Sequence, residues 1–250
     1  MSAGQALTTV GRASPRYIAG TVPHRFVEVD AARLLLILAR FARDIDDDVR
    51  ALRCYPARPV ARHFSPEYYL HKLDFLLRYP GYFAYELATL HAVGATEAEN
   101  RDELVALVRR IIVEREPEML TLPFERFFRG AYERLDDVEG WWHAHQLVYA
   151  PQETRGETRP QKHYFVTETG LAQADRLVAE VPHARWYDDR IALIHRFFGG
   201  MSAADVKALQ YRHAGYRDAQ LHETIPDLTS EEIGEAFVAA FGEPLEVALD

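Results

Sequence analysis

Residues 145–177 read HQLVYAPQETRGETRPQKHYFVTETGLAQADRL, and the change of period inside this stretch decides the fold. Leu147-Val148-Tyr149-Ala150 and His163-Tyr164-Phe165-Val166 are short runs rich in aromatic and β-branched residues, which favour strands. Between them, residues 151–161 are polar and carry Gly156 and Pro160, so the two runs are expected to fold back as a hairpin around a solvated tip. Thr167-Glu168-Thr169-Gly170 then opens a helix whose apolar side is Leu171, Ala174, Leu177 and Val178.

The residues before the hairpin have helical period. Asn100 with Glu103 makes a capping-box-like start, and Leu104, Leu107, Val108 and Ile111 follow the i, i+3, i+4, i+7 spacing of one helix face. Pro117 and Pro123 enclose a loop. Phe124, Phe127, Phe128, Ala131, Tyr132 and Leu135 repeat the helical spacing and predict a second helix. Asp136 as N-cap and Glu139 at N3 predict a third, with Val138, Trp141, Trp142 and His145 on its inner side. Helix, helix, helix, hairpin, helix across residues 100–180 is the order of a winged helix-turn-helix. The hairpin region resembles the wing of winged-helix regulators of the MarR and PadR kind, where a Y-x-(V/L)-T-x-x-G junction leads from strand to helix. Here that junction is Tyr164-Phe165-Val166-Thr167-Glu168-Thr169-Gly170. The resemblance implies a mainly α fold with a small β-hairpin wing, a third helix in the DNA major groove, a role in transcription regulation and a homodimer.

The flanking sequence divides into further helical units. Residues 1–24 are mostly small and polar and are expected to form a flexible arm. Residues 25–96 read as a helical N-terminal unit: a short strand at 25–29, Asp30 as the cap of a helix apolar on every side at Leu34 to Leu38, and a helix opened by Ser65-Pro66-Glu67. Residues 97–180 form the winged-helix unit and 181–250 a C-terminal helical unit. In the last of these, Ser202 with Asp205 and Thr229 with Glu232 are capping pairs. Ile233, Phe237, Ala240 and Phe241 make one apolar side, and a homodimer is expected through the helices beyond Val181 or through the first long helix. Tyr211, His213 and Tyr216 are expected to form a buried hydrogen-bonded cluster with the winged unit.

Composition excludes several classes. At 250 residues with 48% hydrophobic and 27% charged residues the chain can bury a core, and no apolar run approaches the roughly 18–20 residues of a membrane span. The single cysteine, Cys54, allows no internal disulfide and points to a reducing, cytoplasmic setting. The chain lacks H-E-x-x-H, a phosphate-binding P-loop, G-x-G-x-x-G and G-x-S-x-G, so neither an enzyme nor a metal or cofactor is expected.

Charge locates the candidate site. The net charge is −9, yet between residues 49 and 80 six cations (Arg50, Arg53, Arg58, Arg62, Lys72 and Arg78) face two acids (Glu67 and Asp74), a local net of +4. Arg53, Arg58 and Arg62 are candidate phosphate contacts, with Arg155, Arg159 and Lys162 on the wing. The third helix departs from the DNA-reading pattern: Asp136, Asp137 and Glu139 stand at its start and it has no Arg or Lys, leaving His143 and Gln146 as candidate base-edge readers. Two readings therefore stand side by side. One is a nucleic-acid-associated regulator or defence-accessory factor contacting double-stranded DNA, and the other is a winged-helix adaptor that binds a protein partner without DNA.

Overall fold

A computed structural model of the chain describes residues 26–94, 101–113, 124–127, 130–132, 134–154, 160–220, 223–226 and 228–246. In order the elements are α1 (Val27–Phe41), β1 (Arg43–Asp44), α2 (Asp47–Arg50), β2 (Arg62–Phe64), α3 (Glu67–Arg78), α4 (Pro80–Ala92), α5 (Arg101–Val113), β3 (Glu125–Phe127), β4 (Gly130–Tyr132), α6 (Asp136–Ala144), β5 (Val148–Tyr149), β6 (Gln152–Glu153), β7 (Gln161–Lys162), β8 (Tyr164–Val166), α7 (Glu168–Glu180), α8 (Pro182–Phe198), α9 (Ala203–Gln210), α10 (Ala214–Asp218) and α11 (Ser230–Phe241). The architecture is mainly helical with a small antiparallel sheet, and no described helix is long and apolar enough to cross a membrane.

α1 is apolar on every side because it is covered on every side. Leu34 to Leu38 are all buried, and α3, α6, α7 and α8 pack around them. The same helix also buries charge. Arg33 places Nη1 2.7 Å from Asp30 and Nε 2.7 Å from Asp74 of α3, whose other oxygen lies 3.3 Å from Arg78. Burial opposes ionisation of Asp74, but the two guanidiniums outweigh it and hold the carboxyl below its ordinary range. Removing one member of such a cluster strands the others, at a typical cost of about 3–5 kcal/mol.

The sheet runs β1-β2-β8-β5, with every neighbour antiparallel. The two segments read as a hairpin do pair, Val148 against Val166 and Tyr149 against Phe165, and the ladder resumes beyond them as Gln152 against Lys162. β8 pairs on its other side with β2, His63 opposite Phe165. The strand-to-helix junction explains its own residues. Thr167 accepts from the Gly170 amide (2.9 Å) as the cap of α7 and donates to the Gln146 carbonyl (2.7 Å). A Cβ on Gly170 would stand 2.3 Å from the Leu147 carbonyl oxygen, so only glycine lets α7 approach β5.

Three local expectations change. The segment 124–132 is the hairpin β3-β4 and not a helix, because partners outside it take its backbone groups. The Phe124 amide donates to the Tyr79 hydroxyl (2.9 Å), the Phe124 carbonyl accepts from Ile225 (2.9 Å) and the Ala131 amide donates to the Tyr216 hydroxyl (2.7 Å). There is no strand at 26–29, where α1 begins, and Asp30 is held inside the helix by Arg33 instead of capping it. At the C-terminus both capping boxes form, but Ile233, Phe237 and Phe241 are buried and α11 packs on α4. This apolar face, among those expected to build a homodimer, is covered within the chain. Tyr216 and His213 are buried, Tyr216 donating to Gln210 (3.1 Å) and His213 Nε2 lying 2.8 Å from Glu86 of α4. The arm 1–24 and residues 155–159 of the tip lie outside the described residues.

Two histidines make the fold acid-sensitive. Burial lowers the pKa of His71, on α3, to about 4, while burial and then its neighbour His163, 2.9 Å away, lower that of His63 to about 4. Between the unfolded value near 6.5 and 4 the unfolded chain takes up protons that the native chain refuses, so stability falls as pH falls through this window. His71 alone supplies a slope of up to about 1.4 kcal/mol per pH unit. Urea midpoints should therefore be lower at pH 5 than at pH 7, and equal midpoints would contradict the burial of these rings.

Candidate functional site

The expected site residues converge only in part. α6 leads into β5 through Gln146, whose φ of 57° turns the chain back, and Trp142 anchors the helix by donating to the Ala31 carbonyl (3.1 Å). The segment 51–61 crosses in front of β5 because its end enters the sheet at β2 and the Arg53 amide donates to Glu153 (3.0 Å) on β6. Between this segment, α6 and β5 lies a groove of about 490 Å³ whose walls include Cys54, Pro56, Ala57, Arg58, Glu139, His143, Tyr149 and Pro151.

Arg58 and His143 meet there. The Arg58 guanidinium lies 5.7 Å from the centroid of the Tyr149 ring, and His143 meets the same ring edge-on at 5.4 Å. Both side chains are exposed, as are Arg53 and Gln146. Neither Arg53 nor Arg58 has an ion-pair partner among the described residues.

Two other expected contacts point elsewhere. Lys162 is 8% exposed, with Nζ 2.8 Å from Glu139 and 2.9 Å from Glu67, and Tyr164 also donates to Glu139 (3.1 Å). Burial opposes the Lys162 charge, but its hydrogen bonds to the two acids raise its pKa above the ordinary lysine value. Burial raises the Glu139 carboxyl, and the Lys162 and Tyr164 hydrogen bonds offset this only in part. Lys162 therefore pins β7 to α6 and α3 rather than facing solvent. Arg62 donates to the Ala39 carbonyl at the end of α1 (3.0 Å) and lies 4.0 Å from Asp44. Arg155 and Arg159 lie outside the described residues.

The exposed side of α6 is acidic. Asp136, Asp137, Gly140 and His143 face solvent, and Arg134 just before the helix is paired with Asp136 at 2.8 Å. Asp136, expected as the N-cap, is instead the first residue of α6 after Leu135, and Glu139, expected at N3, turns inward to Lys162. Sequence reading missed Tyr149 and Pro151 as groove walls. Their signal was present in the strand, where Tyr149 alternates with Val148, but the partner surface comes from residues about a hundred positions earlier.

No family model, curated protein or solved structure matches the chain.

The Lys162 clamp predicts a measurable loss. Lys162→Met leaves Glu67 and Glu139 facing one another without their shared cation, which should cost about 2 kcal/mol, discounted for the partial exposure of both acids. In a chain of this length that is a drop in Tm of roughly 4–8 °C. Adding Glu139→Gln should restore part of it, and a single variant that melts with the wild type would show that the clamp contributes nothing.

Proposed function

We propose that this chain is a winged-helix adaptor that binds another protein through the face formed by α6 and the groove beside it. The winged-helix reading draws support from the sheet order, since β2-β8-β5 with α6 leading into β5 and α7 leaving β8 is the arrangement in which a third helix lies beside a wing. α1, which lies outside residues 97–180, packs against both α6 and α7 and takes the place of a first helix there, while α5, expected in that place, packs on α4.

The observation that carries the adaptor reading is the charge of α6. Duplex DNA presents one negative charge about every 1.7 Å of its axis, and a helix entering its groove is held by cations and donors. α6 offers the exposed Asp137 at its start and no Arg or Lys along its length, while Asp136 beside it is paired with Arg134. A protein surface accepts such a helix, whereas a phosphate backbone repels it. Among the described residues the DNA reading keeps the exposed Arg53, Arg58, His143 and Gln146, and Arg155 and Arg159 lie outside them.

The test is a titration of pooled random duplexes at low salt, on the order of 50 mM, with the wild type and with Asp136→Lys/Asp137→Lys. The wild type should show no measurable binding, and the variant should gain salt-sensitive binding because the repulsive element has become attractive. Wild-type binding that weakens steeply with salt and is lost when Arg53 and Arg58 are neutralised would overturn the adaptor reading in favour of DNA.

A further inference from the structure

The groove between the segment 51–61, α6 and β5 has a chemistry of its own. Its apolar lining is Pro56, Ala57, Ala150 and Pro151 with the ring of Tyr149. The prolines bring no backbone N–H, so this part offers an occupant little to hydrogen-bond and rewards apolar contact. Its size lies in the range of pockets that enclose a small ligand or a pair of side chains.

The rim is charged, and unevenly so. Arg58 projects over Tyr149, which restricts where the guanidinium can go, and Arg53 is exposed on the same segment. Neither has a carboxylate partner among the described residues. The acid that lines the groove, Glu139, is already satisfied by Lys162 and Tyr164. An incoming carboxylate therefore meets the available Arg58 guanidinium on one side and a neutralised acid on the other. An incoming cation finds no uncommitted acid in the groove itself.

We propose that the groove is the docking site for a short segment of the partner protein, one that inserts an apolar side chain against Tyr149 and Pro151 and places an adjacent Asp or Glu on Arg58. The inference rests on the adaptor reading and gives the partner a chemical class. Arg58 is the specificity-determining contact, since a guanidinium forks onto a carboxylate with two parallel hydrogen bonds. Arg53 contributes longer-range attraction, seen as a faster association at low salt.

The experiment is a selection of phage-displayed random dodecapeptides on the immobilised full chain. It is followed by fluorescence anisotropy of the enriched peptides, labelled, against wild type, Arg58→Glu and Ala57→Trp. Enriched peptides should carry Asp or Glu next to an aromatic or leucine residue. Their affinity should fall at least tenfold on Arg58→Glu and recover when the peptide acid is changed to Lys. Ala57→Trp should block binding by filling the groove, and if it melts below wild type, Arg53→Glu with Arg58→Glu carries the test, both being exposed. Peptides that are enriched but basic, or indifferent to Arg58→Glu, overturn the groove proposal while leaving protein binding intact. Failure to enrich any peptide also overturns it, and if the wild type then binds random duplexes the adaptor reading falls with it.

Discussion

The position of β8 constrains everything around it. Tyr164, Phe165 and Val166 are fully buried, paired on one edge with β2 and on the other with β5. A strand covered on both faces and both edges has one register available to it, because a slip by one residue would exchange its faces and break both ladders. Burying side chains of this size contributes on the order of 1.5–3 kcal/mol each, which offsets the entropy of bringing residues 62–64 to a strand a hundred positions away. Aromatic contacts extend the same junction: Tyr55 meets Phe165 edge-on at 5.5 Å, and His63 lies 4.9 Å from that ring. The groove follows from it, since the segment 51–61 is held in front of β5 by β2 beside β8 and by the Arg53 amide on Glu153.

The second organising feature is how the chain distributes its cations. A basic run in sequence does not make a basic surface. Of the six cations between residues 49 and 80, Lys72 and Arg78 are buried, Arg62 reaches back to a helix carbonyl and Arg50 lies 3.1 Å from Asp47. Arg53 and Arg58 remain outside. Lys162 is likewise spent on two acids. What is left at the groove is a local cationic rim beside an acidic helix, a pattern that favours a partner with its own uneven charge over a uniformly anionic one.

Much of the fold was legible because its signals are local. The hairpin announced itself through two aromatic, β-branched runs around a polar tip, and the boxes Ser202/Asp205 and Thr229/Glu232 through spacing alone. The misreadings share a cause in distant partners. The segment 124–132 has helical spacing, but Tyr79, Tyr216 and Ile225, far away in sequence, satisfy its backbone. Glu139 has the spacing of a capping residue, yet Lys162 and Tyr164 lie within its reach and a buried ammonium outcompetes a helix terminus. The third strand of the sheet, β2, was hidden for the same reason: three residues between prolines carry no period. Of the candidate site, Arg58 was identified from local charge and His143 from its place on α6, whereas Tyr149 was legible only as part of a strand, since its role and that of Pro151 as groove walls arise once the segment 51–61 is in place.

Native-state hydrogen exchange reads the constraint directly. If β8 is locked between β2 and β5, the amides of residues 164–166 and 62–64 exchange only through global unfolding, with an exchange free energy equal to the stability measured by denaturant and to that of α1 at residues 35–38. Exchange of β8 and β2 orders of magnitude faster than α1 would mean that the sheet opens on its own, and would contradict the account.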